Sequence, residues 1–183
     1  MKALLLKYKS VLRFVLLFLG TYFLLSAIYA GYLSWSSGGS YPPDFITNLV
    51  ARQSSSIING FGYTAEVMPT PTEPTMQLYV NGKFLARIIE GCNALSIIIL
   101  FVSFIIAFAQ GWKKTLLFLL AGTALIYAVN ILRIVLLAVA LYEYPDYKDV
   151  LHGVVFPGLI YGMVFLLWMV WIRTLKSVNL KDE

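Results

Sequence analysis

Cysteine, histidine and charged residues are scarce in this sequence, and each scarcity excludes a class of protein. The 183 residues include one cysteine and one histidine, so the chain can form no internal disulfide and no metal site built from several Cys or His ligands. Only 13% of the residues are charged, whereas 60% are hydrophobic. This composition indicates an integral membrane protein, because a water-soluble core does not need several apolar runs of membrane-spanning length.

The apolar residues fall into four runs that are long enough to cross a bilayer, since about 20 apolar residues span a hydrocarbon layer of ~30 Å. The runs cover residues 11–33, 93–109, 116–142 and 153–172. The first run is too long for the apolar segment of a signal peptide and is predicted to be a retained anchor. The sequence therefore predicts an all-α polytopic membrane protein, a single membrane domain 1–183 with four transmembrane helices.

Lysine and arginine are distributed unequally between the two sides that these spans define. Nine lie on the side of the N-terminus: Lys2, Lys7, Lys9, Arg13, Lys113, Lys114, Arg173, Lys176 and Lys181. Four lie on the other side: Arg52, Lys83, Arg87 and Lys148. Because cytoplasmic loops are enriched in Lys and Arg, both termini are predicted to be cytoplasmic. The net charge of +5 then reflects membrane topology, and no nucleic-acid partner is expected.

Residues 34–89 form a predicted extracytoplasmic insert between the first two spans. Asp44 is predicted to cap a short helix over residues 45–59 that lies on the membrane surface or, alternatively, forms a partner-binding groove. The Asn81-Gly82 dipeptide between two β-prone segments predicts a β-hairpin that leads into the second span. This hairpin either pairs with an extended substrate strand or is a structural lid.

The only cysteine, the only histidine and the only arginine inside a span lie at similar predicted depths. Counting ~1.5 Å per residue from the basic residues at the opposite end of each span places Cys92, Arg133 and His152 at about 31, 28 and 31 Å, near the outer hydrocarbon boundary. Each has an ordinary alternative, namely packing for the cysteine, snorkelling for the arginine and solvation for the histidine. Their common depth favours a shared site.

Polar neighbours of these three residues are candidates for supporting the site. Cys92 is predicted in the cap or first turn of its helix, where free backbone N–H groups favour a thiolate. Asn130 shares a helix face with Arg133, and Asp149 is spaced to orient the His152 ring unless it only complements the helix dipole. The predicted supporting or substrate-binding residues are Glu90, Asn93, Ser96, Asn130 and Asp149. No metal ion and no cofactor is predicted.

These residues resemble the exosortase and archaeosortase family of membrane-embedded cysteine transpeptidases. The resemblance lies in EGCNALS at 90–96, NILRI at 130–134 and LHG at 151–153, each at the outward end of a span. Many relatives read Ser-Gly after the cysteine, whereas this chain reads Asn93-Ala94. The short chain with four spans is most similar to the exosortase F type of the Bacteroidetes.

The resemblance implies a Cys92 nucleophile, a stabilising Arg133 charge and a His152 acid and base at the periplasmic face of a bacterial cytoplasmic (inner) membrane. The implied substrates are exported proteins whose C-terminal tail carries a recognition motif, an apolar helix and a basic cluster. Cleavage would pass through a Cys acyl-enzyme, and the product would be transferred to an unknown acceptor or hydrolysed. The lipid bilayer is the other implied partner.

Two noncatalytic functions remain as alternatives. In a membrane assembly subunit, Arg133 would pair with Glu90 or with an acid of a partner, and Cys92 would only pack. In a small transporter, polar residues would continue inward along the spans, but below Arg133 the third span offers little beyond Asn130 and Thr123.

Overall fold

The structure is a computed structural model that describes residues 8–36, 39, 41–109 and 111–179, with side chains as far as Thr174. Among the basic residues that predicted the orientation, Lys2, Lys7 and Lys181 lie outside the described residues. The side chain of Lys176 lies outside them as well.

Five helices account for most of the described chain. They are α1, Lys9–Ser36; α2, Phe45–Gly60; α3, Leu95–Ala107; α4, Trp112–Glu143; and α5, Phe156–Asn179. Tyr144 ends α4 with a non-helical backbone, and three short helical turns, Pro145–Tyr147, Lys148–Val150 and Leu151–Val155, then lead into α5. The chain is therefore mainly helical, as the apolar runs predict.

Three helical segments are long and apolar enough to cross a membrane, namely Lys9–Ser36, Trp112–Glu143 and Pro145–Thr174. Helix α3 has only 13 residues, which extend about 20 Å and fall short of a ~30 Å hydrocarbon layer. It starts later than the predicted residue 93 because Ala94 has a φ of 64° and the Asn93 side chain accepts the Leu95 N–H. Three helices of spanning length are thus described, where the sequence predicts four.

Helices α3, α4 and α5 share an apolar core. Its buried members include Phe101 and Ile105 of α3, Ile126 of α4 and Trp171 of α5. At Gly122 of α4 a Cβ atom would overlap the Phe101 ring, so glycine allows the two helices to approach closely. Helix α1 packs on α3 but has no buried residue, so the faces of α1 that turn away from α3 can contact lipid.

The segment between α1 and α3 packs on the C-terminal half of α4. Asp44 caps α2 as predicted, since its carboxylate accepts the N–H groups of Ile46 and Thr47, both at 3.0 Å. Helix α2 then buries Val50, Ala51 and Ile58 in a core that it shares with the sheet and α4. We call this side of the molecule, where α2 and the sheet lie, the sheet end of the bundle.

The sheet has three antiparallel strands in the order β1-β2-β3: β1, Ala65–Pro69; β2, Met76–Val80; and β3, Lys83–Ile88. The predicted hairpin is confirmed as β2 and β3, whose turn residues Asn81 and Gly82 have φ values of 50° and 76°. Strand β1 was not predicted from the sequence. It ends in a proline, which is compatible with its position at the edge of the sheet. Strand β3 forms the other edge and continues directly toward Cys92.

Candidate active site

Cys92 lies in a short 3₁₀ turn, Glu90–Cys92, that joins β3 to α3. The turn is closed by the Cys92 N–H, which donates to the Ile89 carbonyl at 2.8 Å. Since α3 begins at Leu95, the prediction that Cys92 occupies the cap or first turn of the apolar helix is wrong. The positive φ of Ala94 makes this separate turn possible, in a backbone conformation that side chains other than glycine rarely adopt.

Cys92, Arg133 and His152 line one small pocket at the sheet end of the bundle. The remaining lining residues are Leu78, Ala86, Arg87, Ile88, Ile134, Leu137 and Ala138. The pocket has a volume of about 30 Å³, which suffices for about one water molecule. The three residues that share a predicted depth therefore lie on the wall of one pocket, whose remaining lining is mostly apolar.

Arg133 has no acidic partner among the described residues. One of its terminal nitrogens donates to Asn130 Oδ1 at 3.5 Å, and its Nε is buried without a hydrogen-bond partner. Arg87–Glu73 is the one ion pair in the described part of the chain, and Glu90 is exposed. An unpaired guanidinium inside a membrane-spanning helix costs free energy, and such residues usually pair with another charge or mark a functional site. Arg133 is therefore available to an anionic group that enters the pocket.

His152 lies in a wide π-helical turn, Leu151–Val155, in which the Phe156 N–H donates to the Leu151 carbonyl five residues back. The turn ends two residues before Pro157, which has no N–H to continue the regular pattern. The His152 side chain is exposed and also lines the pocket, so it can exchange protons with water. Asp149 is exposed, and no hydrogen bond or ion pair joins it to His152 in the described chain.

Two buried asparagines hold the Cys92 turn. Asn130 is fully buried, and its Nδ2 donates to the Cys92 carbonyl oxygen at 2.7 Å. Asn93 is also fully buried, and its Nδ2 donates to the hydroxyls of Tyr29 at 2.9 Å and Thr47 at 3.1 Å. The turn is thereby tied to α1, α2 and α4 at once.

The structure does not bring the other predicted supporting residues to the pocket. Glu90 and Ser96 are exposed, like Asp149, and none of the three lines the pocket. Arg87 does line it and was not predicted, although its position in the hairpin strand just before Cys92 was a usable signal. No local signal could have identified Tyr29 and Thr47, which lie 64 and 46 positions from Asn93.

The pocket offers three chemical functions. A thiol can act as a nucleophile, an imidazole can move a proton, and a guanidinium can stabilise negative charge. No group of three or more His, Cys, Asp or Glu side chains able to hold a metal ion occurs in the part of the chain that the structure describes.

The comparisons with known proteins give one family. Residues 6–173 match the family model described as transmembrane exosortase, a stretch that contains Cys92, Arg133 and His152. A search of curated proteins and a search of solved structures each returned no match. Because the matched stretch covers most of the 183 residues, this chain is a membrane protein of the transmembrane exosortase family.

Proposed function

We propose that this exosortase is a cysteine transpeptidase that removes the C-terminal tail of exported proteins. The observation that carries the proposal is the pocket lined jointly by Cys92, Arg133 and His152. The absence of an acidic partner for Arg133 among the described residues adds support, because it removes the form of the noncatalytic alternative in which Arg133 pairs with Glu90. The exosortase F assignment belongs to the same proposal and rests on the arrangement of four spans.

The reaction begins with attack by the Cys92 sulfur on the scissile carbonyl carbon. The carbonyl oxygen becomes negatively charged in the tetrahedral intermediate, and Arg133 stabilises it in an environment from which much water is excluded. His152 takes the thiol proton and delivers it to the leaving amine, so that the C–N bond breaks and the tail leaves. An amine or hydroxyl acceptor then attacks the Cys92 thioester and gives transfer, whereas water gives hydrolysis.

The orientation in the membrane is part of the proposal. The excess of Lys and Arg on the side of both termini supports a cytoplasmic position for them. The sheet end, with Cys92, then faces the periplasm of a bacterium. Helix α3 is the fourth span in this arrangement, since it packs between α1, α4 and α5 although it is shorter than they are.

An apolar groove supports a substrate that is itself anchored in the membrane. The groove has a volume of about 590 Å³ and lies between α3 and α4, with Leu120, Ala124 and Tyr127 among its lining residues. Its lining also includes Asn93, which directly follows Cys92. A tail helix in this groove would therefore have its outer end at the residue that follows the nucleophile.

Filling the groove should weaken substrate binding more than the chemical step. Ala124 is exposed and lines the groove, so Ala124→Trp places an indole where the tail helix would lie. We expect KM to rise about tenfold while kcat changes less than about threefold, as loss of uniform binding predicts. The measurement is steady-state processing of a tail-bearing protein in detergent or in vesicles.

Leu125→Trp is the matched control for this variant. Leu125 is the next residue of α4, is 47% exposed and does not line the groove. Its substitution should leave KM within about threefold of the wild-type value. Equal KM values for the two variants would remove the groove from the proposal.

The proposed function is tested by coexpressing the chain with a reporter in a host that has no exosortase. The reporter is an exported domain fused to the tail of a protein encoded nearby that ends in a motif, an apolar span and a basic cluster. Mass spectrometry should find a new C-terminus before the apolar span, with an acceptor or a free carboxylate. An intact tail on every reporter of this kind would overturn the proposed function.

A further inference from the structure

Asn130 contacts both residues that the proposed mechanism places at the scissile carbonyl. Its Nδ2 donates to the Cys92 carbonyl oxygen at 2.7 Å, and its Oδ1 accepts from Arg133 at 3.5 Å. The first distance is that of a short, well-formed hydrogen bond, whereas the second is at the outer limit. One side chain thus links the nucleophile's backbone to the guanidinium.

The residue type matches these two contacts. A side-chain amide presents a donor and an acceptor in a fixed planar arrangement, which neither a carboxylate nor a hydroxyl reproduces. Asn130 is fully buried in α4, so water cannot replace either contact easily. Its position within the core of the bundle gives it little freedom to move.

The other buried amide that holds the Cys92 turn, Asn93, has a different set of contacts. Its partners are Tyr29, Thr47 and the Leu95 N–H, which belong to the scaffold around the turn. Asn93 therefore fixes where the turn lies relative to α1, α2 and α3. Among the described residues, only Asn130 is hydrogen-bonded to both Cys92 and Arg133.

We propose that Asn130 is a positioning residue that sets the placement of the Cys92 turn relative to the Arg133 guanidinium. This inference rests on the proposed function, in which sulfur and guanidinium act on the same carbonyl group. Asn130 does not touch the substrate; it acts through the Cys92 carbonyl and through Arg133. An error of about 1 Å in such an alignment is enough to reduce a rate about 100-fold.

Two variants with the same number of side-chain heavy atoms as asparagine separate positioning from packing. Asn130→Asp keeps the shape but places an acceptor against the Cys92 carbonyl, and Asn130→Leu removes both contacts. We expect kcat to fall about 10- to 100-fold in both variants while KM stays within about threefold. Asn130→Gln, which keeps the donor and the acceptor, should retain more kcat than Asn130→Leu.

A second readout does not depend on the substrate. Cys92 is the only cysteine of the chain, so the rate of alkylation by iodoacetamide reports its environment alone. The rate constant for the folded, monodisperse fraction of Asn130→Leu or Asn130→Asp should differ from that of the wild type by at least about threefold, because the turn is released. This measurement remains possible even where one variant folds poorly.

A double-mutant cycle that combines variants of Asn130 and Arg133 completes the test. If Asn130 acts partly through the guanidinium, the Asn130→Asp and Arg133→Lys effects on kcat should be non-additive. Additive effects, or kcat and alkylation rates within about threefold of wild type in both Asn130 variants, would overturn the positioning role. An error in the proposed function would be recognised by a different result, namely full tail removal by the Cys92→Ala variant.

Discussion

Cys92→Ala is expected to stop tail removal, with kcat/KM falling at least about 1,000-fold while the protein stays folded in the membrane. Cys92 supplies the only thiol or hydroxyl among the described residues that line the pocket, because the remaining lining consists of apolar residues, two arginines and His152. Loss of the sulfur therefore removes the covalent route altogether. The measurement is accumulation of the uncleaved reporter, read by immunoblot and intact mass.

Ser103→Ala is the matched control for Cys92→Ala. Ser103 is a residue of similar size in the neighbouring α3, and its hydroxyl bonds only to the Ile99 carbonyl of its own helix at 2.7 Å. Processing by this variant should remain near the wild-type level, since such back-bonding contributes little. Full processing by Cys92→Ala at normal protein levels would end the assignment of the nucleophile.

His152→Ala is expected to lower kcat about 100- to 10,000-fold, the usual contribution of a general acid and base. Because His152 is exposed as well as lining the pocket, its removal opens the pocket to small solutes. Added imidazole should therefore restore part of the activity in proportion to its concentration. The measurement is the processing rate of the reporter as imidazole is titrated at constant pH and ionic strength.

Arg133→Ala serves as the control for imidazole rescue. Its defect lies in the stabilisation of charge, so imidazole should leave its processing rate unchanged. The role of His152 in proton transfer would be contradicted by wild-type activity of His152→Ala, or by equal rescue of both variants.

The parts of the fold that follow from neighbouring residues were predictable from sequence. The Asn81-Gly82 turn has positive φ at both positions, and that conformation is what these two residue types favour. Asp44 caps α2 through N–H groups only two and three residues away. The apolar runs likewise mark the long helices, because a bilayer demands about 20 such residues.

Features that depend on distant partners were not predictable in the same way. Strand β1 forms by pairing with β2, and its five residues, which end in proline, are too short a segment to predict a strand by themselves. The late start of α3 depends on the Asn93 side chain and on Ala94 adopting a positive φ. The contacts of Asn93 with Tyr29 and Thr47 need a tertiary arrangement that no local pattern encodes.

The same distinction between local and distant determinants applies to the residues of the candidate site. The grouping of Cys92, Arg133 and His152 needed only helix rise and bilayer thickness, which are general quantities. The partners Ser96 and Asp149 were chosen by assuming regular helical spacing around Cys92 and His152. The chain instead has a 3₁₀ turn at Cys92 and a π-helical turn at His152, so that spacing does not apply there.

The central claim is that Cys92 carries the substrate covalently, and the most direct test is mass spectrometry of the enzyme quenched in acid during turnover. The account predicts the N-terminal part of the reporter joined to Cys92 as a thioester, and a reporter hydroxamate when hydroxylamine is added as the acceptor. Processed reporter that accumulates without any Cys92 adduct or any hydroxamate would contradict it.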